Sequence, residues 1–238
     1  MSAEQAVPAV RPPEQVPVSP LGPGVTVAEM LDDRHGCRGL HQRRLRFAGG
    51  AGIAGTASGQ GEAWYVIRGS GQLDTGEEPG PVSLEPGIAV WMRPGLHYTS
   101  QARPGPDLEV LAVTLRAGSA DPADPARRVV RLDACEPERT GDREFRVLLS
   151  EGLTITQFAG LIPPGRAPAH HHTYDEVVHV LAGRGVVHLS GTTAEIGPGT
   201  SIYLPPYQPH CLENTGPGPL EVLGVFHPAG SPAAKRTS

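Results

Sequence analysis

The 238-residue chain contains one pattern twice. Val110-Leu111-Ala112-Val113, followed by Ala117-Gly118, recurs as Val222-Leu223-Gly224-Val225, followed by Ala229-Gly230, at an offset of 112 residues. Leu84-Glu85-Pro86-Gly87 recurs as Ile196-Gly197-Pro198-Gly199 at the same offset, and Glu62 through Gly71 recurs as Glu176 through Gly185 at 114. Phe47-Ala48-Gly49 aligns with Phe158-Ala159-Gly160. Ordered matches with a small drift are what duplication followed by loop insertions leaves. The chain therefore reads as two homologous domains of roughly 90 to 105 residues each, an ordinary domain size.

Each copy is a series of short apolar runs cut by turn residues. The second contains Phe145–Leu149, Leu153–Phe158, Glu176–Leu181, Gly185–Leu189, Ser201–Leu204 and Leu220–Phe226. Such runs at this spacing predict an all-β antiparallel sandwich or barrel. Helical patterning is confined to Val27–Leu31, enough for a turn or two. The 31 glycines and 26 prolines fall mostly between the runs and in the first residues, as tight turns require. The expected organisation is a flexible, proline-rich arm over 1–24, a first domain over 25–118, a linker over 119–128, a second domain over 129–229 and a frayed tail over 230–238.

A formal charge of −5 offers no basic field for nucleic acid or an anionic membrane. The local basic cluster Arg38–Arg46 reads as a solvated strand face. Three scattered cysteines, Cys37, Cys135 and Cys211, form no disulfide or zinc-ribbon pattern, which fits a reducing, cytoplasmic setting. The first residues lack a secretory n- and h-region, and no apolar run reaches membrane-spanning length.

Chemistry concentrates in His170-His171-His172-Thr173-Tyr174-Asp175-Glu176. On an extended strand His170, His172 and Glu176 share one face, while His171 points the other way. With His210 brought alongside, they make three imidazoles and one carboxylate, a set that binds divalent transition metals. Singly, each would be read as a surface or satisfied core residue; together they read as a metal site. Asp175 is a candidate to orient a ligating imidazole. Gln157, Tyr174, Tyr203 and Tyr207 are candidate substrate-pocket residues.

These residues resemble the two motifs of the cupin superfamily. The first appears as Gly165, His170, His172, Glu176 and Gly183; the second as Gly199, Pro205, His210 and Asn214, with Tyr207 standing where the family has glycine. With the repeat, the resemblance covers about 45 to 230. It implies two tandem jelly-roll (double-stranded β-helix) barrels, a bicupin, with His170, His172, Glu176 and His210 holding one Fe, Mn, Ni, Cu or Zn ion in the second. In the first copy Thr56 and Ser58 stand at the positions of His170 and His172, and Glu62 and His97 at those of Glu176 and His210. That copy is expected to hold no metal; Glu62, Trp64, Trp91 and His97 could instead line a metal-free pocket.

By analogy with bicupin oxygenases, the resemblance implies a metal-dependent dioxygenase acting on a small organic molecule, with Glu176 as ligand and proton acceptor. The rivals are a redox-neutral lyase, isomerase or cyclase, and a non-catalytic ligand-binding module. Open sheet edges suggest a homodimer, unless the two barrels pair within one chain.

Overall fold

The computed structural model describes residues 7–116 and 125–233. The described residues form twenty-two strands and three short 3-10 turns, with no α-helix. The expected all-β, two-barrel architecture is what these strands build, and every strand pair is antiparallel.

In the first barrel a seven-stranded sheet runs in the order Arg127–Arg131, Ile88–Met92, Glu62–Arg68, Leu108–Leu115, Leu40–Phe47, Val25–Leu31, Val18–Gly22. It faces a four-stranded sheet of Gly52–Thr56, His97–Ala102, Gly71–Asp74 and Val82–Leu84. In the second barrel the long sheet is Ala9–Arg11, Ser201–Leu204, Asp175–Ala182, Leu220–His227, Thr156–Ile162, Arg143–Leu149, Glu138–Thr140. Its partner sheet is Gly165–Arg166, His210–Asn214, Gly185–Leu189 and Thr192–Ile196.

Strand alternation explains the near-continuous apolar runs. In Asp175–Ala182, Val178 and Val180 point into the second barrel's core with Val187 and Ile202. Val177 points the other way, into a core shared between the barrels that also holds Tyr65, Trp91, Leu111, Tyr203 and Leu223. Glu62–Arg68 behaves alike: Trp64 and Val66 fill the first barrel, while Ala63 and Tyr65 join the shared core. The long sheets are thus buried on both faces, and the two barrels pair within one chain.

The structure corrects the expected boundaries. Within the described residues the proline-rich arm is built into the sheets. Ala9–Arg11 pairs with Ser201–Leu204 of the second barrel, and Val18–Gly22 forms the outer edge of the first, where Pro20 is tolerated because an edge strand can leave one side unpaired. Reciprocally, Arg127–Arg131, placed by sequence across the linker and the second domain, pairs with Ile88–Met92 of the first barrel. The order strand, 3-10 turn, strand, strand over Ala9–Leu31 recurs over Arg127–Leu149. The duplication therefore begins inside the arm, and each half caps an exposed sheet edge of the other. Val25–Leu31 is a strand, not a helical turn. Residues 119–124 of the expected linker and 234–238 of the tail lie outside the described residues.

Register also revises one alignment. Leu108 pairs with Phe47 and its counterpart Leu220 with Ile162, so Phe47 corresponds to Ile162 rather than Phe158. By the same ladder Arg43, opposite Ala112, corresponds to Phe158, opposite Gly224.

Candidate metal centre

His170 and His210 form a reciprocal antiparallel bridge, His170 N–H to His210 O at 3.0 Å and His210 N–H to His170 O at 2.9 Å. The segment between His170 and Asp175 is not a strand, yet it delivers His170 and His172 to one cavity. A turn through Pro205–Pro209 locks His172, because the Tyr207 N–H donates to its carbonyl. Glu176 enters from Asp175–Ala182, paired with Leu204 and Phe226.

The three imidazoles offer nitrogen atoms that lie within 4.8 Å of one another. Glu176 Oε2 lies 3.4 Å from His172 Nε2 and 3.9 Å from His210 Nε2. His210 Nδ1 lies 2.8 Å from the Gln208 carbonyl and His170 Nδ1 3.2 Å from that of Pro168. In each, Nδ1–H donates and the Nε2 lone pair is left for a ligand, the usual way a backbone carbonyl sets a ligating tautomer.

Burial, with the neighbouring imidazoles, pushes His172 down to about 3 and His210 to about 4; burial lowers His170 as well. Burial raises Glu176 to about 8. The His–Glu contacts are therefore not ion pairs at neutral pH in the metal-free protein. Glu176 Oε2 is buried without a hydrogen-bond partner, an expensive arrangement for a carboxyl oxygen. A divalent cation ligated by neutral imidazoles would satisfy it, so these four residues fit such an ion.

The site opens into a cavity of about 70 Å³. Phe158, Val178, Leu204 and Phe226 form its apolar wall, Pro232 closes one side and Arg143 adds a single guanidinium. Pro232 corrects the expectation of a frayed tail: Gly230 and Ser231 are held by Thr156 and Tyr174. A Cβ on Gly224 would fall on the Phe158 ring, which accounts for glycine where the first repeat has Ala112.

None of the four pocket candidates lines this cavity. Tyr174 stacks on the outer face of His172, ring centroids 4.9 Å apart, and donates to the Ser231 carbonyl at 2.7 Å. Tyr203 donates to Asp175 Oδ1 at 2.6 Å and packs in the shared core. Asp175 thus orients no imidazole. Gln157 is fully buried and alternates away from Phe158, and Tyr207 is 66% exposed. Alternation sends Gln157 and Tyr203 to the inter-barrel face, which a single-barrel reading does not anticipate. Sequence reasoning missed Arg143, Phe158 and Phe226; comparison of the repeats at the structural register would have exposed Phe158 as the counterpart of Arg43, whereas nothing local marks Arg143.

In the first barrel, Thr56 Oγ1 and His97 Nδ1 lie 2.9 Å apart across the register pair that matches His170–His210. Buried Glu62 receives Arg43 Nη2 at 2.9 Å and Trp64 Nε1 at 2.8 Å. A tethered guanidinium occupies the position of the Phe158 ring, so Arg43 is not part of a solvated face. The residues of the alternative, a metal-free pocket, are not brought together: Trp91 lies in the inter-barrel core and His97 is exposed.

Two paired barrels with a histidine cluster in one of them define a two-domain jelly-roll protein with a cluster that could hold a metal ion. The chain belongs to the cupin superfamily. The family described as "Cupin domain" matches residues 159–226. The oxalate-binding protein of Thermotoga maritima is 32% identical over 111 residues, 41% of this chain and 92% of that protein. An uncharacterized Methanocaldococcus jannaschii protein, MJ1618, is 40% identical over 58 residues, 24% of this chain and 46% of its own length. Among solved structures, Escherichia coli Ylba superposes with a TM-score of 0.79 at 14% identity, over 93% of this chain and 91% of that one. A Bacillus subtilis oxalate decarboxylase superposes with 0.72 at 17% identity, over 92% and 76%. At these identities the superpositions show the fold alone.

Proposed function

We propose that the second barrel is the active site of a metal-dependent enzyme acting on a small organic molecule, by a dioxygenase-type oxidation. The observation that carries the metal reading is the buried, unpartnered Glu176 Oε2 facing the Nε2 atoms of His172 and His210. His170, His172, Glu176 and His210 would hold a bound Fe, Mn, Ni, Cu or Zn ion, which would supply Lewis acidity and, for a redox-active metal, the electrons that reaction with dioxygen needs. The chain's own part is to hold His170 and His210 in one tautomer, to present Glu176 as ligand and then as proton acceptor, and to exclude water with Phe158 and Phe226. Comparison of turnover in air and under strict anaerobiosis, on enols, catechols and small acids, tests the oxidation: product formed at equal rates without oxygen would overturn it.

A redox-neutral lyase, isomerase or cyclase reaction is the second reading. The cavity of about 70 Å³ favours it, because a substrate of a few heavy atoms leaves little space for dioxygen beside it. The name of the T. maritima protein, an oxalate-binding protein, also supports a small, oxygen-rich ligand. Non-catalytic binding is the outcome if a ligand binds and no product forms. The outer edges at Val18–Gly22 and Glu138–Thr140 support a homodimer as the working unit, which we place in the cytoplasm.

A further inference from the structure

We infer that Arg143 selects the substrate of this site, and that the substrate is a small carboxylate anion bound through its guanidinium. The inference rests on the metal-site reading above and names the ligand class it takes.

Arg143 lines the same cavity as His170, His172, Glu176 and His210. Among the described residues its guanidinium has no ion pair or hydrogen bond with a carboxylate. The neighbouring arginines are committed elsewhere: Arg139 and Arg146 both reach Glu144, and Arg146 also binds the Cys135 carbonyl.

The duplication supplies an internal control. Arg143 opens its strand opposite Thr140, as Val25 does opposite Gly22, and Val25 is a buried core residue of the first barrel. The fold therefore does not require a cation there. In the first barrel the interior carboxylate, Glu62, already has its guanidinium in Arg43. In the second barrel the counterpart of Arg43 is Phe158, and Arg143 lines the cavity beside Glu176 with no ion pair among the described residues. A planar five-donor fork in a mostly apolar cavity matches a carboxylate better than a neutral ligand. The cavity size restricts the anion to roughly five or six heavy atoms.

Calorimetric titration with oxalate and with its neutral isostere oxamide, on wild type, Arg143→Lys and Arg143→Gln, tests this, with metal content measured on each sample. Oxalate is expected to bind wild type; Arg143→Gln should weaken it about ten- to hundredfold at unchanged metal content, and Arg143→Lys should fall between. Oxamide should bind weakly to all three. Equal oxalate affinity in wild type and Arg143→Gln, or equal affinity for oxalate and oxamide, would overturn the inference and leave the metal-enzyme reading standing. If wild type retains no metal, that reading fails, and the titration on the metal-free protein decides the inference: Arg143-dependent oxalate binding supports it, and absence of binding overturns it.

Discussion

The backbone N–H of Tyr207 donates to the carbonyl oxygen of His172 at 2.6 Å. This bond ties one ligand to the turn that carries another, His210. Tyr207 does so with φ of 64°, the one non-glycine residue with positive φ among the described residues. It stands where the family motif has glycine, so the turn keeps its geometry at a conformational cost.

That cost predicts the first outcome. An L-residue in the left-handed region loses roughly 1–2 kcal/mol, and glycine returns about 0.5–1 kcal/mol of that in backbone entropy. Tyr207→Gly should therefore raise unfolding free energy by up to about 1 kcal/mol in urea titrations, with metal content unchanged. A loss of stability would show that the exposed ring, 6.1 Å from that of His171, contributes more than the strain.

The metal ligands make a second prediction. Purified protein should carry about one divalent ion per chain by elemental analysis. His172→Ala and His210→Ala should each lose it while keeping the β-sheet circular dichroism. Glu176→Gln, which replaces an anionic ligand by a neutral one, should weaken retention. Two tightly held ions per chain would refute the assignment of Arg43 as the first barrel's interior cation.

Arg43 itself is testable. Glu62 is 1% exposed and Arg43 19%, so Arg43→Met strands a buried carboxylate and should cost about 3–5 kcal/mol. Arg43→Met with Glu62→Leu should recover part of that, because apolar groups replace the buried ion pair while the Trp64 Nε1–H loses its acceptor. Similar stability in the single and double variants would show that the pair is not coupled.

His179 sets a pH dependence. It is 2% exposed, hydrogen-bonded to Ser201 Oγ at 2.9 Å, and pushed down to about 3 by burial and then by Arg44. Between pH 6.5 and 3 the unfolded chain takes up a proton that the folded chain refuses. Stability is therefore lost as pH falls, by up to about 1.4 kcal/mol per pH unit from this residue. His179→Asn should flatten the acid limb of a stability–pH curve measured with metal bound. An unchanged slope would mean that His179 is protonated in the folded state.

The arm gives the fifth. Removing residues 1–16 deletes Ala9–Arg11 and bares the edge of Ser201–Leu204, a strand of the metal-site barrel. The shortened protein should melt earlier and associate, as light scattering will register. An unchanged melting temperature and monodispersity would show that this edge needs no cover.

Much of the site was readable along the chain, because its ligands are local. His170, His172 and Glu176 lie within seven residues of one another, and His210 follows a proline-marked turn. Parity reasoning reached the right side chains although His170–Thr173 is not a strand. The cavity wall was not readable. Phe158 and Phe226 come from paired strands 68 residues apart, and whether a strand residue faces the barrel or the neighbouring barrel depends on a packing partner that the alternation alone does not reveal. Gln157 and Tyr203 were misplaced for that reason.

Strand content, the duplication and the metal ligands follow from the sequence alone, because turn residues, period-two alternation and ligand spacing are short-range properties. The tertiary structure decided where each copy begins, which residues line the cavity, and that Arg143 has no ion pair there among the described residues. These depend on pairing between distant strands: Ala9–Arg11 reads as a loose proline-rich arm until the exposed backbone of Ser201–Leu204 gives it a partner.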